Sequence, residues 1–70
     1  MQIMLNGEPY TLTTTATSPI TISTLLGQLG LAEKRIAVER NEMIVPRSRH
    51  AETALEAGDQ VEIVHAIGGG

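Results

Sequence analysis

Three consecutive glycines, Gly68 to Gly70, occupy the last positions of the 70-residue sequence. Glycine has no side chain to pack and loses the most backbone freedom when it is ordered, so a folded core gains nothing from this run. Three extended residues span roughly 10 Å, and without Cβ atoms they fit a channel too narrow for other residues. We therefore expect a flexible tail that presents the terminal carboxylate of Gly70 to another molecule.

A terminal carboxylate is a weak electrophile at neutral pH, because its charge repels nucleophiles and an oxide is a poor leaving group. It has to be activated before a nucleophile can attack its carbon. The tail therefore predicts a chain that an enzyme acts on. The other interpretation is a disordered end without a function; against it, the glycines follow closely on an apolar strand pattern that ends at His65.

Other catalytic chemistry finds little support in the sequence. The absence of cysteine removes disulfides, thiolate nucleophiles and zinc–thiolate sites. His50 and His65 are 15 residues apart with no paired carboxylate nearby, so no metal site is predicted. The serines considered, Ser18, Ser23 and Ser48, lie in no Gly-x-Ser-x-Gly elbow, and a nucleophile without an organised base is inert. The protein is therefore predicted not to be an enzyme.

Composition also excludes some classes of partner. The formal net charge is −3, with eight acidic and five basic residues, so phosphate backbones are repelled on average. Tyr10 is the single aromatic residue and gives bases almost nothing to stack on. No apolar run approaches the roughly 20 residues of a membrane helix, and the N-terminus lacks a signal-peptide pattern. We expect a cytoplasmic protein that binds neither nucleic acid nor a membrane.

The first half of the chain predicts a hairpin and a helix. A strand over Gln2–Asn6 is followed by the turn dipeptide Asn6-Gly7 and a returning strand over Tyr10–Thr15. The period then changes, because apolar residues recur at helical spacing: Ile22, Leu25, Leu26 and Leu29. Thr21 is placed to cap the start of this helix and Gly30 to end it. Gly27 inside the helix costs about 1 kcal/mol relative to alanine.

The second half predicts three short strands, over Ile36–Arg40, Met43–Val45 and Gln60–His65, with an irregular stretch over Arg47–Ala57. Each element has one apolar side to bury. The order strand, strand, helix, strand, strand, strand therefore predicts an α+β domain, in which a mixed sheet carries one main helix on one face.

Alternation in the last strand predicts a surface for a partner. If Val61 and Ile63 point toward the helix, the intervening residues point to the other face of the sheet, which no second helix covers. Exposed apolar patches often mark interaction sites, whereas single surface apolar residues are common. We favour a patch, and its predicted partner-binding residues are Met4, Met43, Val64 and Ala66.

Three segments carry a resemblance to a known family: Asn41–Arg47 with its Ile-Val-Pro-Arg letters, Glu56–Val61 with its Gly-Asp turn, and the terminal Gly69–Gly70. Together with the order of elements, they resemble the ubiquitin-like ThiS/MoaD family, in particular the sulfur carriers of thiamine biosynthesis. The resemblance covers essentially the whole chain. It implies a β-grasp domain over residues 1–67 and a flexible glycine tail over residues 68–70.

The resemblance also implies a mechanism. A ubiquitin-activating-type adenylyltransferase, similar to ThiF, uses ATP and magnesium to convert the Gly70 carboxylate to an acyl-adenylate. Sulfur from a donor protein then replaces AMP and gives a thiocarboxylate. A thiazole synthase similar to ThiG takes this sulfur to build the thiazole ring. The chain is then a cosubstrate that binds no cofactor itself, with Gly70 as the reactive residue and Gly68 and Gly69 as its stalk.

Two rival functions remain at this stage. A sulfur carrier for molybdopterin synthesis shares the fold and the chemistry, although the short chain and the Ile-Val-Pro-Arg segment favour thiamine. A ubiquitin-like modifier that forms isopeptides belongs to a different class. Lys34 is the only lysine, which argues mildly against a modifier that builds chains through its own lysines.

Overall fold

The computed structural model describes residues 1–13 and 19–65, which form a five-stranded mixed sheet and one α-helix. The strands are β1 (Gln2–Leu5), β2 (Glu8–Thr11), β3 (Ile36–Arg40), β4 (Met43–Val45) and β5 (Gln60–His65), and the helix α1 spans Ile22–Leu29. Their order across the sheet is β2-β1-β5-β3-β4. The β1–β5 pair is parallel and the other pairs are antiparallel. The predicted α+β class and the predicted order of elements are confirmed.

Both ends of α1 form as the sequence predicts. The hydroxyl of Thr21 accepts a hydrogen bond from the Thr24 amide at 3.3 Å, and the Thr24 hydroxyl accepts one from the Thr21 amide at 3.2 Å. This reciprocal pair satisfies amides that the first turn leaves without helical partners. Gly30 ends the helix with a φ of 73°, a left-handed conformation that glycine adopts without strain.

The second strand begins and ends earlier than predicted. The Asn6-Gly7 turn has positive φ at both residues, so the chain reverses within two residues and pairing resumes at once between Leu5 and Glu8. The strand is therefore Glu8–Thr11, whereas the prediction was Tyr10–Thr15. Residues 14 and 15 of that prediction lie outside the described residues. Leu12 follows the strand but is buried, and its amide donates to the Met1 carbonyl at 2.8 Å.

The core lies between the sheet and α1. Its buried apolar residues are Ile3, Leu12, Ile20, Ile22, Leu25, Leu26, Val38, Leu55, Val61 and Ile63. Leu55 comes from the long connection before β5, where its amide donates to the Ile20 carbonyl at 2.7 Å. The same connection opens with a 3₁₀ turn over Arg47–Arg49. Within the two described stretches, no helix has the length and apolar character needed to cross a membrane.

Candidate functional site

The strand that leads to the glycine tail lies at the centre of the sheet. β5 is flanked by β1 and β3, and its register with β3 runs from Arg40 opposite Val61 to Ile36 opposite His65. The strand is thus held as far as its last residue. The predicted reactive residue, Gly70, lies outside the described residues, as do Gly68, Gly69 and Ala66. The chain leaves the described domain from the end of a fixed central strand.

A side chain in the first turn fixes β5 from the β1 side. The backbone amide of Asn6 donates to the Val61 carbonyl at 2.9 Å, and the side-chain Oδ1 of Asn6 accepts from the backbone amide of Ile63 at 2.8 Å. The side-chain oxygen therefore extends the parallel ladder past the point where the backbone of β1 turns away. Sequence reasoning used Asn6 only as a turn residue and missed this second role.

An acidic residue fixes the start of β5. Asp59 Oδ2 accepts from Arg40 Nε at 2.7 Å and from the Glu56 amide at 2.8 Å, and its Oδ1 accepts from Asn41 Nδ2 at 3.1 Å. Burial is the largest single influence on the pKa of Asp59 and raises it, but the hydrogen bonds from Arg40, the Glu56 amide and Asn41 together outweigh burial and lower the pKa. Asn41 Oδ1 also accepts from the Gln60 amide at 2.9 Å. The Gly-Asp turn is thereby tied to the end of β3.

The predicted alternation along β5 is confirmed. Val61 and Ile63 are buried against α1, whereas Val64 is 59% exposed on the opposite side, here called the open face. Met4 is half-buried and lies opposite Gln60. Gln60 is on the same side of β5 as Glu62 and Val64, so Met4 lies on the open face as well. Two of the predicted partner-binding residues, Met4 and Val64, therefore share one face of the sheet.

Met43 does not join them. It lies opposite Arg40, and Arg40 lies opposite Val61, so Met43 belongs to the side of the sheet that carries α1, where it is 72% exposed at the edge. The two-residue turn at Asn41-Glu42, with φ of 51° and 71°, sets this register. Its neighbour Ile44 lies on the open face instead and is 73% exposed. A one-residue error in the assumed register moves a side chain to the other face.

The centre of the open face is acidic. Glu39 lies directly opposite Glu62, and both line a depression of about 350 Å³ that Met4, Glu42 and Gln60 also border. Like charges directly opposite each other destabilise a sheet. Met4 lies opposite Gln60, and Gln60 is four residues, about 13 Å, from Val64 along β5. The predicted patch is therefore two apolar positions flanking an acidic centre, and sequence reasoning missed the acidic part.

The two histidines differ in exposure and in their contacts. His50 is buried, and its Nε2 lies 3.0 Å from the Val45 carbonyl, whereas His65 is exposed at the end of β5. The part of the chain that the structure describes contains no group of three or more His, Cys, Asp or Glu residues able to hold a metal ion.

The five-stranded mixed sheet, with one helix on one face and the first and last strands paired in parallel at its centre, defines the ubiquitin-like β-grasp class. The ThiS family model matches residues 3–70. The chain belongs to the ThiS family, as the resemblance in its sequence predicts.

Individual relatives agree with this assignment. The sulfur carrier protein ThiS of Bacillus subtilis is 44% identical over 50 residues, which cover 71% of this chain and 76% of that one. The crystal structure of the thiamine biosynthesis protein ThiS from Geobacter metallireducens superposes with a TM-score of 0.81 at 30% identity and covers all of both chains.

Two longer proteins are also similar to this chain. Thiazole synthases of Paramagnetospirillum magneticum and Magnetococcus marinus are 43% and 44% identical over 70 residues, which cover all of this chain and 20% of each of theirs. The chain thus spans about a fifth of the length of these relatives.

Proposed function

We propose that this protein is a sulfur carrier of thiamine biosynthesis whose terminal Gly70 carboxylate is adenylated and then converted to a thiocarboxylate. The observation that carries the proposal is membership of the ThiS family through a match that extends to Gly70. The similarity to the sulfur carrier protein ThiS of Bacillus subtilis supports the same role.

The proposed chemistry begins with an attack of the Gly70 carboxylate on the α-phosphorus of ATP. Pyrophosphate leaves, and the partner adenylyltransferase supplies the magnesium that neutralises its charge. The acyl-adenylate then has AMP as a good leaving group. A sulfide-equivalent nucleophile from the donor protein attacks the acyl carbon and AMP departs, so a thiocarboxylate remains on Gly70. This chain contributes the carboxylate and a surface that holds it in place.

The open face is the surface we assign to the adenylyltransferase. Val64 lies one residue before His65, the end of β5, so a partner held there lies close to the start of the tail. Val64 and Ile44 together expose apolar side chains on the face of the sheet opposite α1. Glu39 and Glu62 lie opposite each other, and such a pair of like charges costs stability in the free protein. A partner that brings positive charge to this face is therefore favoured.

A ThiG-like thiazole synthase is the proposed acceptor of the sulfur. Two proteins named thiazole synthase each contain a region similar to the whole of this chain. Joining two modules in one polypeptide raises their effective concentration for each other, which is useful when the modules interact. This arrangement in the relatives supports an encounter of this chain with a thiazole synthase.

Mass spectrometry of the intact protein tests the proposal. The purified chain is incubated with a ThiF-type adenylyltransferase, ATP, magnesium and a sulfur source, and a parallel sample lacks ATP. We expect the mass gain of one sulfur replacing one oxygen, located by fragmentation on Gly70 and absent without ATP. An unchanged mass, or an isopeptide to a lysine of another protein, contradicts the proposal.

A further inference from the structure

A second depression lies on the helix side of the sheet, between α1, the loop that follows it and the 3₁₀ turn. It has a volume of about 160 Å³, and its walls include Leu26 and Ile36 together with the polar side chains of Ser23, Lys34, Arg47 and His50. Ligand pockets for drug-sized molecules are larger, about 300–1,000 Å³. This one fits a small polar group.

The charge at this depression is positive, and no carboxylate of the described residues pairs with it. Arg40 is paired with Asp59 and Glu56, and Arg49 is paired with Glu52. Lys34 and Arg47 form no ion pair with the described residues, and both line the depression, which no carboxylate borders. In a chain of net charge −3, two free cations thus converge on one concave site. A concave site lined by one sign of charge concentrates ions of the opposite sign.

The geometry holds Arg47 over this site. Its Nη2 donates to the Ala32 carbonyl at 3.4 Å, so the guanidinium lies against the loop that carries Lys34. The remaining N–H groups of a guanidinium form a planar fork that matches two oxygens of a tetrahedral anion. Arg47 belongs to the Ile-Val-Pro-Arg segment, and the proposed carrier function gives it no role.

His50 adds an acceptor. Its Nε2 lies 3.0 Å from the Val45 carbonyl, which can only accept, so this nitrogen carries the proton and Nδ1 of the neutral ring is left as an acceptor. The helix N-terminus adds little, because its amides are used. The Ile22 amide donates to the backbone carbonyl of Thr53, and the Ser23 amide donates to the backbone carbonyl of His50. The Thr24 amide donates to the Thr21 hydroxyl.

We propose that this depression binds a phosphate-class oxyanion that carries one protonated oxygen. Arg47 and Lys34 hold the charged oxygens, and His50 Nδ1 accepts from the P–OH group. The ion is inorganic phosphate, which keeps at least one P–OH group at neutral pH, whereas a phosphomonoester, with a second pKa of about 6, has mostly lost it. Sulfate has the same shape but no proton at neutral pH, so it leaves the His50 acceptor without a donor and binds more weakly.

Backbone amide NMR of the full chain at pH 7 tests this site without any partner enzyme, so its outcome is independent of the carrier function. Inorganic phosphate is titrated at constant ionic strength, with sodium chloride as the balancing salt. We expect saturable shifts at Lys34, Arg47 and His50, and weaker saturation with sulfate. Shifts that do not saturate, or equal affinity for sulfate, overturn the proposal.

Two charge-removing variants locate the site. Arg47→Gln is expected to weaken phosphate binding about tenfold, the amount that loss of one charge-assisted hydrogen bond costs. Arg35→Gln removes the same charge beside Lys34 without altering a residue that lines the depression, and it should leave binding within about twofold. Equal weakening by both variants overturns the proposal. Lys34→Gln repeats the test if Arg47→Gln does not fold.

A nucleoside monophosphate tests the need for a protonated oxygen. The second pKa of a phosphomonoester is about 6, so AMP at pH 7 is mostly a dianion without a P–OH group and, like sulfate, should bind more weakly than inorganic phosphate. Binding of AMP that equals or exceeds that of inorganic phosphate overturns the role of the His50 acceptor. Failure of inorganic phosphate to bind overturns the proposal.

Discussion

The side-chain oxygen of Asn6 accepts a hydrogen bond from the amide of Ile63 at 2.8 Å, which ties the first turn to β5, the last strand of the sheet. The backbone of Asn6 holds Val61 at the same time. One residue in a left-handed conformation therefore holds two core-facing positions of β5, Val61 and Ile63.

Removal of this acceptor should destabilise the domain. We expect Asn6→Ala to lower the free energy of unfolding by about 1–2 kcal/mol, because the buried Ile63 amide loses its partner and alanine is disfavoured at the positive φ of this position. Asn6→Asp keeps the oxygen and should lose less. Chemical denaturation of both variants measures the difference, and equal losses would show that the hydrogen bond does not matter.

Asp59 should make stability depend on acid. Its pKa in the folded protein is lower than the ordinary pKa of an aspartate, so its contribution to stability is fully present above that ordinary pKa and is lost as the pH falls through the lower pKa of the folded state. In Asp59→Asn we expect lower stability at pH 7 and a shallower loss between pH 5 and pH 2. Glu52→Gln is the control, because its ion pair with Arg49 is exposed. Thermal melts across this range measure the loss of stability with acid. The assignment is refuted if Asp59→Asn and Glu52→Gln both lose stability as the parent does.

Two glycines offer opposite outcomes for the same substitution. An added Cβ at Gly27 meets no atom within 4 Å, so Gly27→Ala should stabilise the helix by about 0.5–1 kcal/mol. Gly30 has equal space but a φ of 73°, so Gly30→Ala should be destabilising through backbone strain. Melting temperatures that move in the same direction for both would contradict the helix end described here.

Two neighbouring exposed residues test the proposed docking face. Ile44→Ser should weaken binding to a ThiF-type adenylyltransferase about tenfold or more, as truncation of an apolar interface anchor does. Met43→Ser is the matched control, because Met43 is equally exposed on the same strand but lies on the other face. The dissociation constants are measured by calorimetry after both folds are verified. Equal effects of the two substitutions would remove the open face as the docking surface.

Much of the fold follows from local patterns. The stripe of Ile22, Leu25 and Leu26 and the caps at Thr21 and Gly30 are local signals, and the structure confirms them. The stripe and the caps were predictable because they depend only on residues that are close in the sequence. The limits of a strand depend on the geometry of the turn beside it, and the second strand is Glu8–Thr11 for this reason.

The surface around the site was less predictable. The face that Met43 occupies depends on the register set by the turn before it, and the Glu39–Glu62 pair depends on which strands become neighbours. The sequence places His50 in the irregular stretch over Arg47–Ala57, where exposure is expected, yet the packing of this long connection buries it. These features arise from contacts between residues that are distant in the chain, and a single sequence carries no direct signal for them.

The most direct test of the central claim is the rate of ATP-dependent thiocarboxylate formation on a chain that lacks Gly70. The shortened tail still ends in a glycine carboxylate, so its chemistry is unchanged, but its reach falls by about 3.5 Å. A displacement of about 1 Å can already cost a hundredfold in a positioned reaction. Thermal melts verify that the truncated domain is folded. The account predicts that sulfur transfer is abolished in this variant, whereas transfer at the parental rate would contradict the assignment of Gly70 as the positioned reactive residue.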